Sequence, residues 1–144
     1  MTELEMSTAE RPICYRRGAK ALTVRDGAIL LIKERHCDGT PFWTLPGEGI
    51  EPGESPPEAL CREFKEELAC RGTVGDDVGW FAYAHCSSPM VSVYTVFQCD
   101  LEGSIAPEIT ECVFDHTWAT PTQLPTRTLP QVRLVFERAY STPA

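Results

Sequence analysis

The sequence predicts an α/β fold, an α/β/α sandwich in which a mixed sheet lies between helices. Three observations carry this. Two apolar runs meet at Asp26-Gly27, a sharply capped amphipathic helix follows a loop rich in Gly, Pro and Glu, and further apolar runs close on a terminal helix. Strands and helices interspersed in this way stack as layers around a shared core.

Residues 19–25 and 28–33 read as strands, with Asp-Gly supplying the turn chemistry of a hairpin. The run from Ala28 to Lys33 is apolar almost throughout, as in a strand buried on both faces. Residues 36–56 read as a long ordered loop, a length that marks function in a compact domain. Ser55 is a good N-cap for the helix that follows. Pro56 suits its first position, and Glu58 completes a capping box. Leu60, Phe64 and Leu68 recur every four residues and form its buried stripe. The helix is expected to end near Cys70, before Gly72. Residues 78–86 and 90–101 read as a strand pair around Ser87-Ser88-Pro89, and 112–118 as a further strand. The Pro-rich stretch 121–130 reads as a loop with a short helical turn. Residues 130–140 read as a terminal helix that turns Val132, Val135, Phe136 and Ala139 inward. Residues 1–12 read as a loose leader and 13–144 as one domain.

A chain of 144 residues is long enough to build its own hydrophobic core. Thirteen basic and 21 acidic residues give a net charge of −8. That balance excludes a nucleic-acid polymer as main partner, which would need a basic footprint. No run reaches the roughly 18–20 apolar residues of a membrane span. The acidic, polar N-terminus is no secretory signal, so a cytoplasmic protein is expected. Seven cysteines without a C-x-x-C read as reduced thiols rather than a disulfide framework. His36-Cys37 and His85-Cys86 lack the second ligand pair of a zinc site.

The chemistry is concentrated in Leu45-Pro-Gly-Glu-Gly-Ile-Glu-Pro-Gly-Glu54 and the helix after it. Glu63 lies three residues from Glu66 and four from Glu67, so three carboxylates crowd one helix face. Repulsion within Glu63/Glu66 and Glu63/Glu67 is offset by the favourable pairs Glu58–Arg62 and Arg62–Glu66, each of roughly 0.2–0.5 kcal/mol. A plain solvated acidic face is therefore the competing reading. Glu66 and Glu67 also sit toward the helix C-terminus, where the macrodipole disfavours anions. A hard divalent cation such as Mg²⁺ relieves both costs and leaves positions for substrate phosphates. It also lets an acidic protein meet an anionic ligand. Gly47, Gly49 and Gly53 allow backbone to approach that ligand closely. Arg62 is placed to bridge Glu54 and the metal-binding carboxylates.

This segment resembles the signature of the Nudix (MutT-like) hydrolases. That signature is a glycine, five residues, Glu, seven residues, then Arg-Glu-bulky-x-Glu-Glu-x-Gly-bulky. Here it spans residues 48–70, with Glu54, Arg62, Glu63, Glu66 and Glu67 at the required places and Phe64 at the bulky one. Three positions depart: Glu48 and Ala69 replace the glycines, and Cys70 replaces the final aliphatic residue. The resemblance implies a hydrolase that cleaves the pyrophosphate link of a nucleoside diphosphate joined to another group, or of a nucleoside triphosphate, by attack of water on phosphorus. It implies that Glu63, Glu66 and Glu67, with a backbone carbonyl from Gly47 or Glu48, bind Mg²⁺ or Mn²⁺. Arg62 would orient the carboxylates and Glu54 would support it. For the general base, Glu63 ranks first and Glu111 second, with Glu108 and Asp115 behind them. The expected partner is a small nucleotide, and many members of the family are homodimers. Glu48 also admits a catalytically weak nucleotide-binding regulator. An isopentenyl diphosphate isomerase-like enzyme is a weaker alternative. Residues that mark substrate groups are not matched, because Cys86 and Ser88 stand at those positions. Phe42, Trp43, Trp80, Phe81 and Tyr83 are aromatic rings available to stack on a base.

Overall fold

The computed structural model describes residues 12–85, 89–106 and 113–140. In chain order its elements are β1 (Cys14–Leu22), β2 (Val24–Arg25), β3 (Ala28–Arg35), β4 (Pro41–Thr44), α1 (Pro56–Leu68), β5 (Arg71–Ala84), β6 (Met90–Glu102), β7 (Asp115–Ala119) and α2 (Pro130–Ala139), with a 3-10 turn at Pro121–Gln123. The loose leader expected over residues 1–12 lies almost wholly outside the described residues.

The sheet layer has two parts. One is mixed, in the order β1-β6-β5, with β1 parallel to β6 and β6 antiparallel to β5. The other is antiparallel and centred on β3, which pairs with β2, β4 and β7. β3 shows why the fold is a sandwich. Ile29 and Leu31 enter one core with Val132, Val135 and Phe136 of α2. Leu30 and Ile32 enter the other with Leu60, Phe64 and Leu68 of α1. Period-two alternation thus feeds two apolar layers from one strand. Each such buried side chain contributes roughly 1.5–3 kcal/mol of hydrophobic stabilisation.

The strand read at 19–25 divides in two: β1 starts at Cys14 and pairs with β6, and only β2 forms the hairpin with β3. Two further elements also differ from the reading. β5 begins at Arg71 rather than 78, and its register shifts between Val74 and Gly79. Its first half lacks an apolar run. It is a strand because Gly72 lets the backbone settle against Leu101 and Phe64, where a Cβ would meet both within 2.9 Å. β4 lies inside the stretch read as loop, since Phe42 and Thr44 are buried against β3. The short helical turn is present as Pro121–Gln123.

The reading of the cysteines needs correction. Cys37 is disulfide-bonded. Cys14, Cys61, Cys70 and Cys99 are free. Sequence spacing could not reveal this, because a disulfide depends on which Cβ atoms the fold brings together. Among the described residues no helix is long and apolar enough to cross a membrane.

Candidate active site

α1 starts as its sequence dictates. Ser55 Oγ accepts from the Glu58 amide at 3.3 Å, and Glu58 Oε1 accepts from the Ser55 amide at 3.2 Å. The helix ends at Ala69, whose φ of +49° and ψ of 40° are left-handed. A glycine takes that conformation without strain, whereas an L side chain pays for it. The Ala69 departure therefore carries a local cost at the helix end.

The signature loop is tied to the free edge of β1. Ala21 N donates to Pro46 O at 2.9 Å, Ala19 N to Glu48 O at 3.1 Å, and Ile50 N to Arg17 O at 3.0 Å. Gly47 has φ +126°, and a Cβ there would stand 2.1 Å from the Ala19 carbonyl oxygen. Only glycine fits. Glu48 has no positive φ, so a side chain at that signature position brings no backbone strain. The loop and α1 then meet at the Arg62 guanidinium. Arg62 donates Nε to Glu54 Oε2 at 2.8 Å and Nη2 to Glu54 Oε1 at 2.9 Å, a bidentate pair. Its Nη1 reaches Glu63 Oε1 at 2.7 Å and Glu66 Oε2 at 3.2 Å, and its Nη2 reaches Gly49 O at 3.3 Å. Hydrogen bonds from Arg62 hold the Glu54 carboxyl below its ordinary range. The same bond to Glu54 raises the Arg62 pKa, so the guanidinium stays charged.

The three helix carboxylates are not equivalent. Glu63 and Glu67 are 7% and 8% exposed, whereas the Glu66 side chain is 59% exposed. Glu67 Oε1 accepts from the Gly47 amide at 3.3 Å. Burial, then the neighbouring Glu63 charge, pushes the Glu67 carboxyl up to about 9. Burial also raises Glu63, against the opposing pull of its hydrogen bonds to Glu67 and Arg62. Among the described residues no three acidic, His or Cys side chains already converge on one point. Arg62 Nη1 stands between Glu66 and Glu63, bonded to both.

Sequence reasoning missed the cations and acids that β1 and β3 bring to this face. Lys20, 3% exposed, donates Nζ to Gly47 O at 2.6 Å, stands 3.8 Å from Glu34 Oε2 and lies 4.6 Å from the Tyr94 ring centroid. Burial works against its ammonium, but Glu34, Glu48, Tyr94 and Glu67 outweigh it and the pKa is raised. Glu34 is pushed up to about 7 by burial, with Lys20 pulling the other way. The available signal was a lone lysine inside an apolar strand. Arg16 lies four positions before Lys20, on the same β1 face as Gly18 and Lys20. Its guanidinium packs on Gly49, where a Cβ would stand 2.2 Å from Nη2.

The remaining predicted residues separate cleanly. Glu111 and Glu108 lie outside the described residues. Asp115 is exposed on β7 and accepts from the His116 amide. Phe42, Phe81 and Tyr83 line a cavity beside the loop. Trp43 instead lies near Lys33, and Trp80 is exposed beside α2.

A row of helix carboxylates thus lies under a glycine loop, set between two layers of sheet and helix. Residues 15–139 match the NUDIX domain family. Over 114 residues the chain is 33% identical to the nucleoside triphosphatase NudI of Escherichia coli O1:K1 / APEC, spanning 72% of this chain and 80% of that protein. It superposes on a MutT NUDIX hydrolase from Burkholderia pseudomallei with TM-score 0.77 at 26% identity, covering 86% of this chain and 97% of the other. A MutT protein from Methanosarcina mazei Go1 gives TM-score 0.71 at 22% identity, covering 88% and 94%. The chain belongs to the Nudix family, and within it is an enzyme of the pyrophosphohydrolase class.

Proposed function

We propose that this enzyme requires Mg²⁺ or Mn²⁺ and cleaves the pyrophosphate link of a nucleoside triphosphate, or of a nucleoside diphosphate joined to another group, by attack of water on phosphorus. The observation that carries it is the buried Glu63/Glu67 pair beneath the Gly47 amide. Two carboxylates withdrawn from water against each other need either a proton or a cation. The donor set is all oxygen, which suits a hard divalent ion. Glu63 and Glu67 would hold it, joined by Glu66 once that side chain leaves Arg62. Gly47 O keeps a second lone pair beside the one that Lys20 occupies. Such an ion, when bound, polarises phosphoryl oxygens and acidifies water.

The chain's own residues supply the rest. Arg62, clamped by Glu54, fixes the rotamer of Glu63. Glu63 is the favoured general base for the attacking water, being buried at the same face. Arg16, exposed beside Gly49, is the cation placed to meet substrate phosphate. The nucleoside triphosphatase activity in the name of the 33% identical relative supports a nucleotide substrate.

The test is incubation with Mg²⁺ and a panel of nucleoside triphosphates and nucleotide sugars. Release of a nucleoside monophosphate is expected, and its loss on chelation or in Glu66→Gln. No turnover across the panel would overturn the proposal.

A further inference from the structure

Two charged residues of this chain stand where their local sequence gives no reason for them. Glu48 occupies a position that the signature gives to glycine, next to Gly47 and among the acids of the site. It adds a negative charge where an anionic substrate must approach. Lys20 is buried in β1 between Ala19 and Ala21, both fully buried. An ammonium withdrawn from water is costly unless charged and polar partners compensate it, so those partners explain its presence.

The fold brings the two together. Ala19 N donates to Glu48 O at 3.1 Å, and Lys20 Nζ donates to Gly47 O at 2.6 Å. The side chains of Lys20, Glu34 and Glu48 line one cavity. Glu34 is the link: its Oε2 lies 3.8 Å from Lys20 Nζ, and its carboxyl meets that of Glu48. Glu34 and Glu48 attract the ammonium more strongly than any other group does. Glu48 also acts on Glu63 and Glu67, as a like charge beside them. Without Lys20 that added charge stands uncancelled beside the helix acids. Its field acts oppositely on two visitors: it attracts a divalent cation and repels a polyphosphate.

We infer that Lys20 is a positioning residue for hydrolysis, its ammonium cancelling the charge that Glu48 adds at a signature glycine position and so keeping the site open to a polyphosphate. This rests on the hydrolase reading above. Lys20→Gln keeps an N–H donor at residue 20 but removes the charge. Lys20→Gln, Glu48→Gln and the double variant are compared with wild type through two readouts. Calorimetric titration of the metal-free proteins with Mn²⁺ alone gives metal affinity. Steady-state kinetics with the best nucleoside triphosphate of the panel gives kcat and KM. Lys20→Gln is expected to bind Mn²⁺ at least about threefold more tightly and yet to raise KM at least about tenfold, the loss falling on KM rather than kcat. Adding Glu48→Gln to it should bring both quantities back within about threefold of wild type, the non-additivity of a coupled pair. A merely structural role weakens metal and nucleotide together. That result in Lys20→Gln, or additive effects in the double variant, overturns the inference. So does rescue by Glu34→Gln but not by Glu48→Gln. If Lys20→Gln does not fold, native circular dichroism in the double variant supports the inference and its absence overturns it. If no nucleotide is turned over, the hydrolase reading fails and the Mn²⁺ titrations decide alone. Tightening that Glu48→Gln reverses supports the pairing; affinity that Lys20→Gln leaves unchanged overturns it.

Discussion

The site holds two acid–base clusters of similar composition and opposite physics. The outer one, Glu54–Arg62–Glu66, stands at the protein–water boundary. There Arg62 is satisfied several times over and the Glu54 carboxyl is held below its ordinary range. The inner one, Lys20–Glu34–Glu63–Glu67, is buried. Its acids are pushed up, Glu67 to about 9 and Glu34 to about 7. The same carboxylate is a fixed anion in the first setting and a proton acceptor near neutrality in the second. Burial, not residue type, makes the difference. The outer cluster orients, and the inner one holds protons that a bound cation would displace.

Removing the inner charge should have the largest effect. Glu67→Gln is expected to lower kcat/KM about 10²–10³-fold while circular dichroism stays native. Metal-free Glu67→Gln should not melt below metal-free wild type, because a costly buried acid has gone. Close behind comes Lys20→Met. It leaves Glu34 and Glu67 without their buried counter-charge and should destabilise by about 3 kcal/mol in urea unfolding.

The inner cluster also makes stability depend on pH. The native pKa of Glu67 lies above its ordinary 4.5, so between pH 4.5 and about 9 the native state binds more protons than the unfolded state. Stability of the metal-free protein must then fall as pH rises through that window. Thermal melts in chelator at pH 5, 7 and 9 should show descending Tm, whereas saturating Mg²⁺ should release protons and flatten the trend. A flat metal-free profile would remove the contrast between the clusters.

Breaking the outer cluster should cost less. Arg62→Lys keeps charge but loses the bidentate grip on Glu54, and about 10–100-fold in Mg²⁺ affinity or activity is expected. The smallest effect lies at the helix end. Ala69→Gly relieves a left-handed alanine and should gain about 1 kcal/mol without changing kcat. A loss instead would show that Ala69 gains more from its surroundings than its φ costs.

How much of this was legible depended on range. The α1 cap, its stripe and the Arg62 pairing with Glu54 and Glu66 follow from local periodicity, and each is present as the spacing requires. The double burial of β3 was equally legible, because an unbroken apolar run has few other uses. The first half of β5 was not, since its strand character comes from contacts with Phe64 and Leu101 rather than from its own residues. Nor was the Cys37 disulfide. Lys20 and Glu34 carried the weakest signal of all, charges inside or at the end of apolar runs.

By itself the sequence determined the helix, its register of acids and the family signature, because helical spacing and capping are set within a few residues. Tertiary structure alone decided which of those acids are dry. It laid β1 and β3 against the loop, placed Lys20 on Gly47 and left Glu34 and Thr44 facing a cavity. Burial is a property of the whole packed chain, and it is burial that turns a row of glutamates into a site.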